Sequence, residues 1–151
     1  SDVCSSDLDA TDEEIWKALE IAQAKEFVSE LSEGLDSHVE QGGGNFSGGQ
    51  RQRLAIARAL VKQADVYVFD DSFSALDFKT DAQLRAALKK DMKNSIMVVV
   101  AQRVSTVMDA DTILVLDEGQ LVGKGTHEEL MASNQTYQEI VSSQLREEDV
   151  A

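Results

Sequence analysis

Two short apolar runs constrain this chain more than any other feature. Val66-Tyr67-Val68-Phe69 and Ile96-Met97-Val98-Val99-Val100-Ala101 are apolar almost without interruption and rich in β-branched and aromatic residues. Runs of that length and composition read as buried strands, because a half-exposed strand would alternate apolar with polar. Between them, residues 80–92 place Leu84, Ala87 and Leu88 on one helical face. Helices and strands in alternation, with near-continuous apolar strands, imply an α/β fold: a mostly parallel sheet covered by helices on both faces.

The remaining elements follow from capping and periodicity. Thr11-Asp12-Glu13-Glu14 is a capping box, and behind it Ile15, Leu19, Ile21, Ala22, Phe27, Val28 and Leu31 recur at helical spacing, which predicts a helix over 12–33. Gly34 to Asn45, with its run Gly42-Gly43-Gly44, reads as a loop, and residues 49–62 as a second helix. Thr112–Leu116 predicts a third strand, paired with a shorter fourth over Gln120–Lys124 across Asp117-Glu118-Gly119. Thr126 and Glu129 form a further capping box opening a short helix, and 135–146 forms the last helix, with a frayed tail behind it. Residues 1–8 carry no periodicity and are set aside as a disordered or non-native start, and Cys4 within them as incidental. That leaves a helical subdomain over 9–60 and a sheet core over 61–151, with fewer strands than a complete doubly wound domain carries.

Composition excludes several function classes. Among 151 residues, 28 acidic side chains face 14 basic ones, a formal net charge of −14. Phosphate contacts along nucleic acid or an anionic membrane need clustered Lys and Arg, so no nucleic-acid partner is expected. The acidity is concentrated at the front, where residues 1–50 hold only Lys17 and Lys25 as bases. The single Cys4 rules out an internal disulfide and a cysteine-based metal site, and no run approaches the roughly 20 apolar residues of a membrane span. A lone His38 in a polar loop and a lone His127 at a helix start, without neighbouring ligands, do not make a metal site.

The chemistry lies in Asn45-Phe46-Ser47-Gly48-Gly49-Gln50-Arg51-Gln52-Arg53, which leads into the second helix. Two glycines and a serine at a helix start expose backbone N–H groups at the positive end of the helix dipole, which suits an anion. Taken alone, the same residues also fit a plain helix cap. Arg51 and Arg53 could meet a phosphate or a neighbouring carboxylate, with a solvated ion pair the expectation for Arg53. Asp70 closes the first strand, and in open α/β sheets ligands bind beyond the carboxyl ends of strands.

Taken together, these segments resemble the ATP-binding-cassette (ABC) ATPases. Residues 45–50 are similar to the family's signature motif, Val66–Asp71 to its Walker B strand, and Ser74-Ala75-Leu76-Asp77 to its D-loop. Gln102 stands where the family has its switch histidine. Val39-Glu40-Gln41-Gly42-Gly43 and Ile113–Leu130 resemble the corresponding parts of exporter nucleotide-binding domains, and the likeness spans residues 9–145. The resemblance implies ATP and Mg²⁺ as ligands, with Ser47, Gly48, Gly49 and Gln50 on the nucleotide and Asp70 holding the metal through water. It also implies two partners, a second nucleotide-binding domain and a membrane-spanning domain, at the cytoplasmic face of the cell membrane.

Three departures from the family pattern bear on activity. Asp71 occupies the position of a catalytic Glu and is one methylene shorter, and Gln102 cannot take up a proton as imidazole does. Losing both together resembles the degenerate half of a heterodimeric exporter, with Asp71 and Gln102 on the poorly active side. No phosphate-binding G-x-x-x-x-G-K-[ST] occurs: Gly123-Lys124 has Glu118 in place of the first glycine and Gly125 after the lysine. The chain thus reads as the C-terminal three-fifths of such a domain, predicted inactive by itself. Two other readings stay open: the head of a DNA-maintenance ATPase, and a non-enzymatic half-cassette that serves as an interaction module. Ribosome-acting relatives are a further one, though they carry tandem cassettes and basic surfaces.

Overall fold

The computed structural model describes residues 10–148, so the start read over residues 1–8, Cys4 and the last three residues lie outside the described part. Two compact units divide the chain after Val100.

In the first unit, the Thr11 capping box forms as expected and opens α1 (Asp12–Ile21). The single helix expected over 12–33 is broken, however. Gln23 takes a left-handed φ of 57°, and a short α2 (Lys25–Ser29) follows. The apolar positions 27, 28 and 31 keep helical phase, which is why periodicity alone did not reveal the break. Helix α3 (Gly48–Val61) follows two single turns of 3₁₀ helix. Strand β1 (Val66–Asp70) and strand β2 (Ile96–Val100) are parallel and in register, Val66 opposite Ile96 and Asp70 opposite Val100. Their crossover is α4 (Phe78–Asp91).

One face of this sheet carries the core. Tyr67 and Phe69 point into a cluster with Phe73, Leu76, Ile56, Leu60, Leu84 and Leu88, joined by Ala18, Leu19 and Val28 from the front helices. Trp16 packs at its margin. Leu84 is fully buried, and burying a leucine of that kind is worth about 1.5–3 kcal/mol. The opposite face departs from expectation. Val66 and Val68, at 51% and 67% exposed, and Ile96, Val98 and Val100 beside them are uncovered among the described residues. A pleated strand turns alternate side chains to opposite faces, so a continuous apolar run shows half its residues outward wherever only one face has helices.

The second unit begins with a short α5 (Val104–Val107), then the antiparallel pair β3 (Ile113–Asp117) and β4 (Gln120–Gly125), turned at Glu118 and Gly119. A register irregularity lies between Val115 and Leu116. The Thr126 capping box opens α6 (His127–Ser133), and α7 (Gln135–Glu148) runs two residues past the predicted end. Val104, Ile113, Val115, Leu130 and Tyr137 form a separate, smaller core. Among the described residues no helix is long and apolar enough to cross a membrane.

Candidate nucleotide-binding site

Ser47 is the N-cap of α3, and the cap reading and the anion reading turn out to be compatible. The Ser47 hydroxyl accepts from the Gln50 N–H at 3.2 Å, while the Gln50 side-chain oxygen accepts from the Ser47 N–H at 2.9 Å. This reciprocal capping box serves two orphan donors, the Ser47 and Gln50 N–H groups, and leaves those of Gly48 and Gly49, which an α-helix cannot satisfy internally. The Ser47 hydroxyl keeps its own proton to donate. Gly49 has a packing reason as well: a Cβ there would lie 2.9 Å from the Ala75 carbonyl oxygen. A Cβ at Gly48 would meet the Ala75 methyl at an ordinary 3.5 Å and an Arg51 guanidinium nitrogen at 4.0 Å.

The two arginines behind this turn are structural. Arg51 donates to the Phe46 carbonyl at 2.7 Å and, more distantly, to that of Gly43, and so holds the loop that delivers the chain into Ser47. Arg53 is not the solvated ion pair expected of it. Its guanidinium donates to the carbonyls of Gln23, at 2.6 Å, and Gly49, and lies 4.9 Å from the centre of the Phe27 ring. Burial pushes its pKa down, countered in part by Asp77 and Glu26. Arg53 thereby satisfies the carbonyl of Gln23, where the front helix breaks.

Asp70 closes β1 with an exposed carboxylate, and Asp71 follows at φ 49°, a left-handed conformation uncommon for a residue other than glycine. The Asp71 N–H donates to the Val100 carbonyl at 3.0 Å, extending the sheet ladder by one rung beyond the strand. From there the chain turns through Ser74 to Asp77. Phe73 and Leu76 anchor this turn in the core, while Ser74 and Ala75 stay exposed. Asp77 is the N-cap of α4. Its carboxylate accepts from the Thr80 hydroxyl at 2.7 Å and the Thr80 N–H at 3.0 Å, and these bonds hold its pKa below the usual carboxylate range.

One contributor escaped the sequence reading. Gln52, inside the quoted stretch but given no role there, sends its side-chain amide from α3 to the turn. Its Nε2 donates to the Asp71 carbonyl at 3.2 Å and to the Ser74 hydroxyl at 3.0 Å, and its Oε1 accepts from the Ala75 N–H at 2.9 Å. A glutamine three positions past a glycine pair carries no period or spacing signal, so only its length and its place on the helix could have pointed to it. Ser47–Gln50, Asp71 and Ser74–Leu76 are thus brought together in the first unit. Gln102 opens the second unit, exposed, with its carbonyl accepting from the side chain of Gln144.

The chemistry of these residues suits Mg²⁺ and a polyphosphate. A single exposed strand-end carboxylate fits Mg²⁺, which keeps several waters and takes its other ligands from phosphate, rather than a metal needing a full protein cage. Among the described residues no cluster of three or more His, Cys, Asp or Glu is placed to cage an ion. His127 instead pairs its Nδ1 with the Tyr137 hydroxyl at 2.8 Å.

Comparison with known proteins gives the class: the fold is that of an ATP-binding domain of the exporter type. Residues 5–74 match the ABC transporter family. The chain is 51% identical over 134 residues to an uncharacterized ABC transporter ATP-binding protein of Mycobacterium tuberculosis, covering 89% of this chain and 23% of that protein. It is 46% identical over 136 residues to an ATP-dependent lipid A-core flippase of Pseudomonas aeruginosa, covering 90% of this chain and 23% of the flippase. A solved structure of a bacterial Atm1-family ABC exporter with ATP bound superposes with a TM-score of 0.86 at 36% identity, covering 90% of this chain and 24% of that one. The chain belongs to the ABC transporter family. It spans about a quarter of the length of the curated relatives it matches.

Proposed function

We propose that this chain is part of the nucleotide-binding domain of an ABC exporter subunit that works in a heterodimer and couples ATP binding and hydrolysis to export across the cell membrane. In this reading Ser47, Gly48, Gly49 and Gln50 reach the nucleotide held mainly by the partner's domain. Asp70, with Asp71 and Gln102, faces the nucleotide of this chain's own site, which binds Mg-ATP and turns it over poorly. Ser74–Asp77 lies between the two, the helical stretch 9–60 serves the membrane-spanning domain, and the whole sits at the cytoplasmic face. Asp70 would hold Mg²⁺ through water, and the ion would supply charge neutralisation at the phosphates.

The observation that carries this reading is the Ser47 capping box with two unsatisfied glycine N–H groups beside it, on a helix tied to the turn that bears Asp71. The lipid flippases among the relatives favour an apolar or amphipathic cargo over a small polar one. Residues 1–151 alone are expected to show no ATPase activity, because the phosphate-cradling loop has no counterpart in them. The net charge of −10 over residues 1–50 speaks against the DNA-maintenance alternative.

The test is a gain of function in the complete transporter. Asp71→Glu combined with Gln102→His restores a longer carboxylate and a titrating side chain, and general-base catalysis supplies roughly 10²–10⁴-fold where it works. Turnover that persists when the partner's site is disabled is the expected result. Absence of any gain in that background overturns the degenerate-site assignment.

A further inference from the structure

We propose that Gln52 is a positioning residue for the ATPase reaction: its side-chain amide locks the backbone that aims Asp71 and ties that backbone to the helix bearing Ser47–Gln50. The proposal rests on the functional reading above, which gives Asp71 and Ser47–Gln50 their roles.

The geometry is specific to an amide. Asp71 sits at φ 49°, so its carboxylate direction depends on a backbone conformation that an aspartate does not favour unaided. The peptide on its N-terminal side is held by the Asp71 N–H donating to the Val100 carbonyl at 3.0 Å. Its own carbonyl is held by Gln52 Nε2 at 3.2 Å and by the Ser74 hydroxyl at 3.0 Å. That hydroxyl in turn accepts from Gln52 Nε2, and Gln52 Oε1 closes the turn by accepting from the Ala75 N–H. One side chain therefore supplies a donor at the first residue of the turn and an acceptor at its last. Glutamate keeps only the acceptor, methionine keeps length and shape with neither, and asparagine is one methylene short.

The other end of the device is rigid. Gln52 lies two residues after Gln50 on α3, which is buried through Ile56, Ala57 and Leu60. Gly49 meets the Ala75 carbonyl at a distance that leaves no room for a side chain. The signature turn and the Asp71 turn therefore cannot separate without breaking the bonds of Gln52. Since the signature is read at one nucleotide and Asp71 at the other, Gln52 passes a displacement at one site on to the other.

The experiment uses the complete transporter assembled with its second nucleotide-binding domain, in lipid, with steady-state ATPase kinetics and a melting temperature for each variant. With the partner's site disabled, so that only the site bearing Asp71 turns over, Gln52→Met is expected to lower the remaining kcat about tenfold with KM for ATP within about twofold, since a catalytic group misplaced by about 1 Å costs up to 10²-fold while binding is untouched. Gln52→Glu, which keeps the acceptor for the Ala75 N–H but offers no donor to the Asp71 carbonyl, is expected to lose kcat to a similar extent. Gln52→Met turning over like the unsubstituted protein, or either variant losing activity only in step with its melting temperature, overturns the positioning role. Failure of the unsubstituted transporter to hydrolyse Mg-ATP at all is a different result, and overturns the functional reading along with it.

Discussion

Gln52 and Gln144 do the same thing for two different loops. In the first unit, the amide of Gln52 spans the turn from Asp71 to Ala75. In the second, Gln144 on α7 accepts from the Val104 N–H at 2.7 Å and donates to the Gln102 carbonyl, spanning the entry to α5. Each holds a carbonyl and an N–H a few residues apart. What differs is the support. Gln52 stands on a helix sunk into a core of 14 buried residues and fastened at its start by Arg51 and Arg53. Gln144 reaches back some 40 residues in sequence from a helix held by a cluster of only five. The hydrogen bonds are alike, so the resistance of each loop to opening is set by the packing behind its clamp.

The largest test of that statement is in the cores. Leu84→Ala, at a position with no exposure, is expected to cost about 2–5 kcal/mol, toward the upper end because the surrounding aromatic and leucine side chains cannot collapse into the space. Leu130→Ala, in the five-residue cluster, is expected to fall at the lower end of the same range, since a smaller core relaxes more easily. Denaturant unfolding followed with a probe in each unit reads both. An equal or larger loss for Leu130→Ala would remove the difference in support on which the comparison stands.

The same contrast explains what was legible in the sequence. The strands at 66–70 and 96–100 and the capping boxes at Thr11 and Thr126 rest on local signals: an apolar run, or a side chain reaching three residues along. Ser47, Gly48 and Gly49 were singled out through the family resemblance, since taken alone the same residues fit a plain helix cap. The break at Gln23 was hidden, since an isolated glutamine in the left-handed region leaves the apolar phase intact. The role of Arg53 was hidden because its partner is a carbonyl 30 residues away that exists only once the break has formed. The two clamps were hidden for a related reason: a polar side chain that bonds to distant backbone has no counterpart in periodicity or motif. The bare face of β1 and β2 was missed because an apolar strand reads the same whether one face is covered or two.

A smaller effect is expected at the second clamp. Gln144→Met leaves the Val104 N–H without its acceptor, and an intramolecular hydrogen bond is worth about 1 kcal/mol net. Hydrogen exchange at Val104 should then quicken by roughly five- to tenfold, while amides in α3 and β1 keep their rates. Should exchange at Ala75 in Gln52→Met quicken by more than this, the packing behind Gln52 does not stiffen its loop, and the comparison reverses.

The smallest effect is a titration. α7, which carries Gln144, is seated through Tyr137, and burial raises the pKa of its phenol above the ordinary value. The group facing the hydroxyl is His127, whose Nδ1 lies 2.8 Å away. Because the neutral phenol is favoured in the folded state, its contribution to stability is fully present below the unfolded value of about 10 and is lost as pH rises through the folded one. Alkali should therefore loosen the second unit first, seen as faster exchange at Val104 above about pH 10 measured relative to amides in β1. Tyr137→Phe removes the ionisable group while keeping the ring, and is expected to flatten that pH dependence, while loss of the hydroxyl's bond to His127 quickens exchange at neutral pH by roughly fivefold. The other tyrosine, Tyr67, is common to both proteins and stacks on Phe69 in the first core, so it does not enter the difference. An unchanged alkaline slope in Tyr137→Phe would mean that the helix carrying Gln144 is held by something other than this seat, and that the weaker support of the second clamp has another cause.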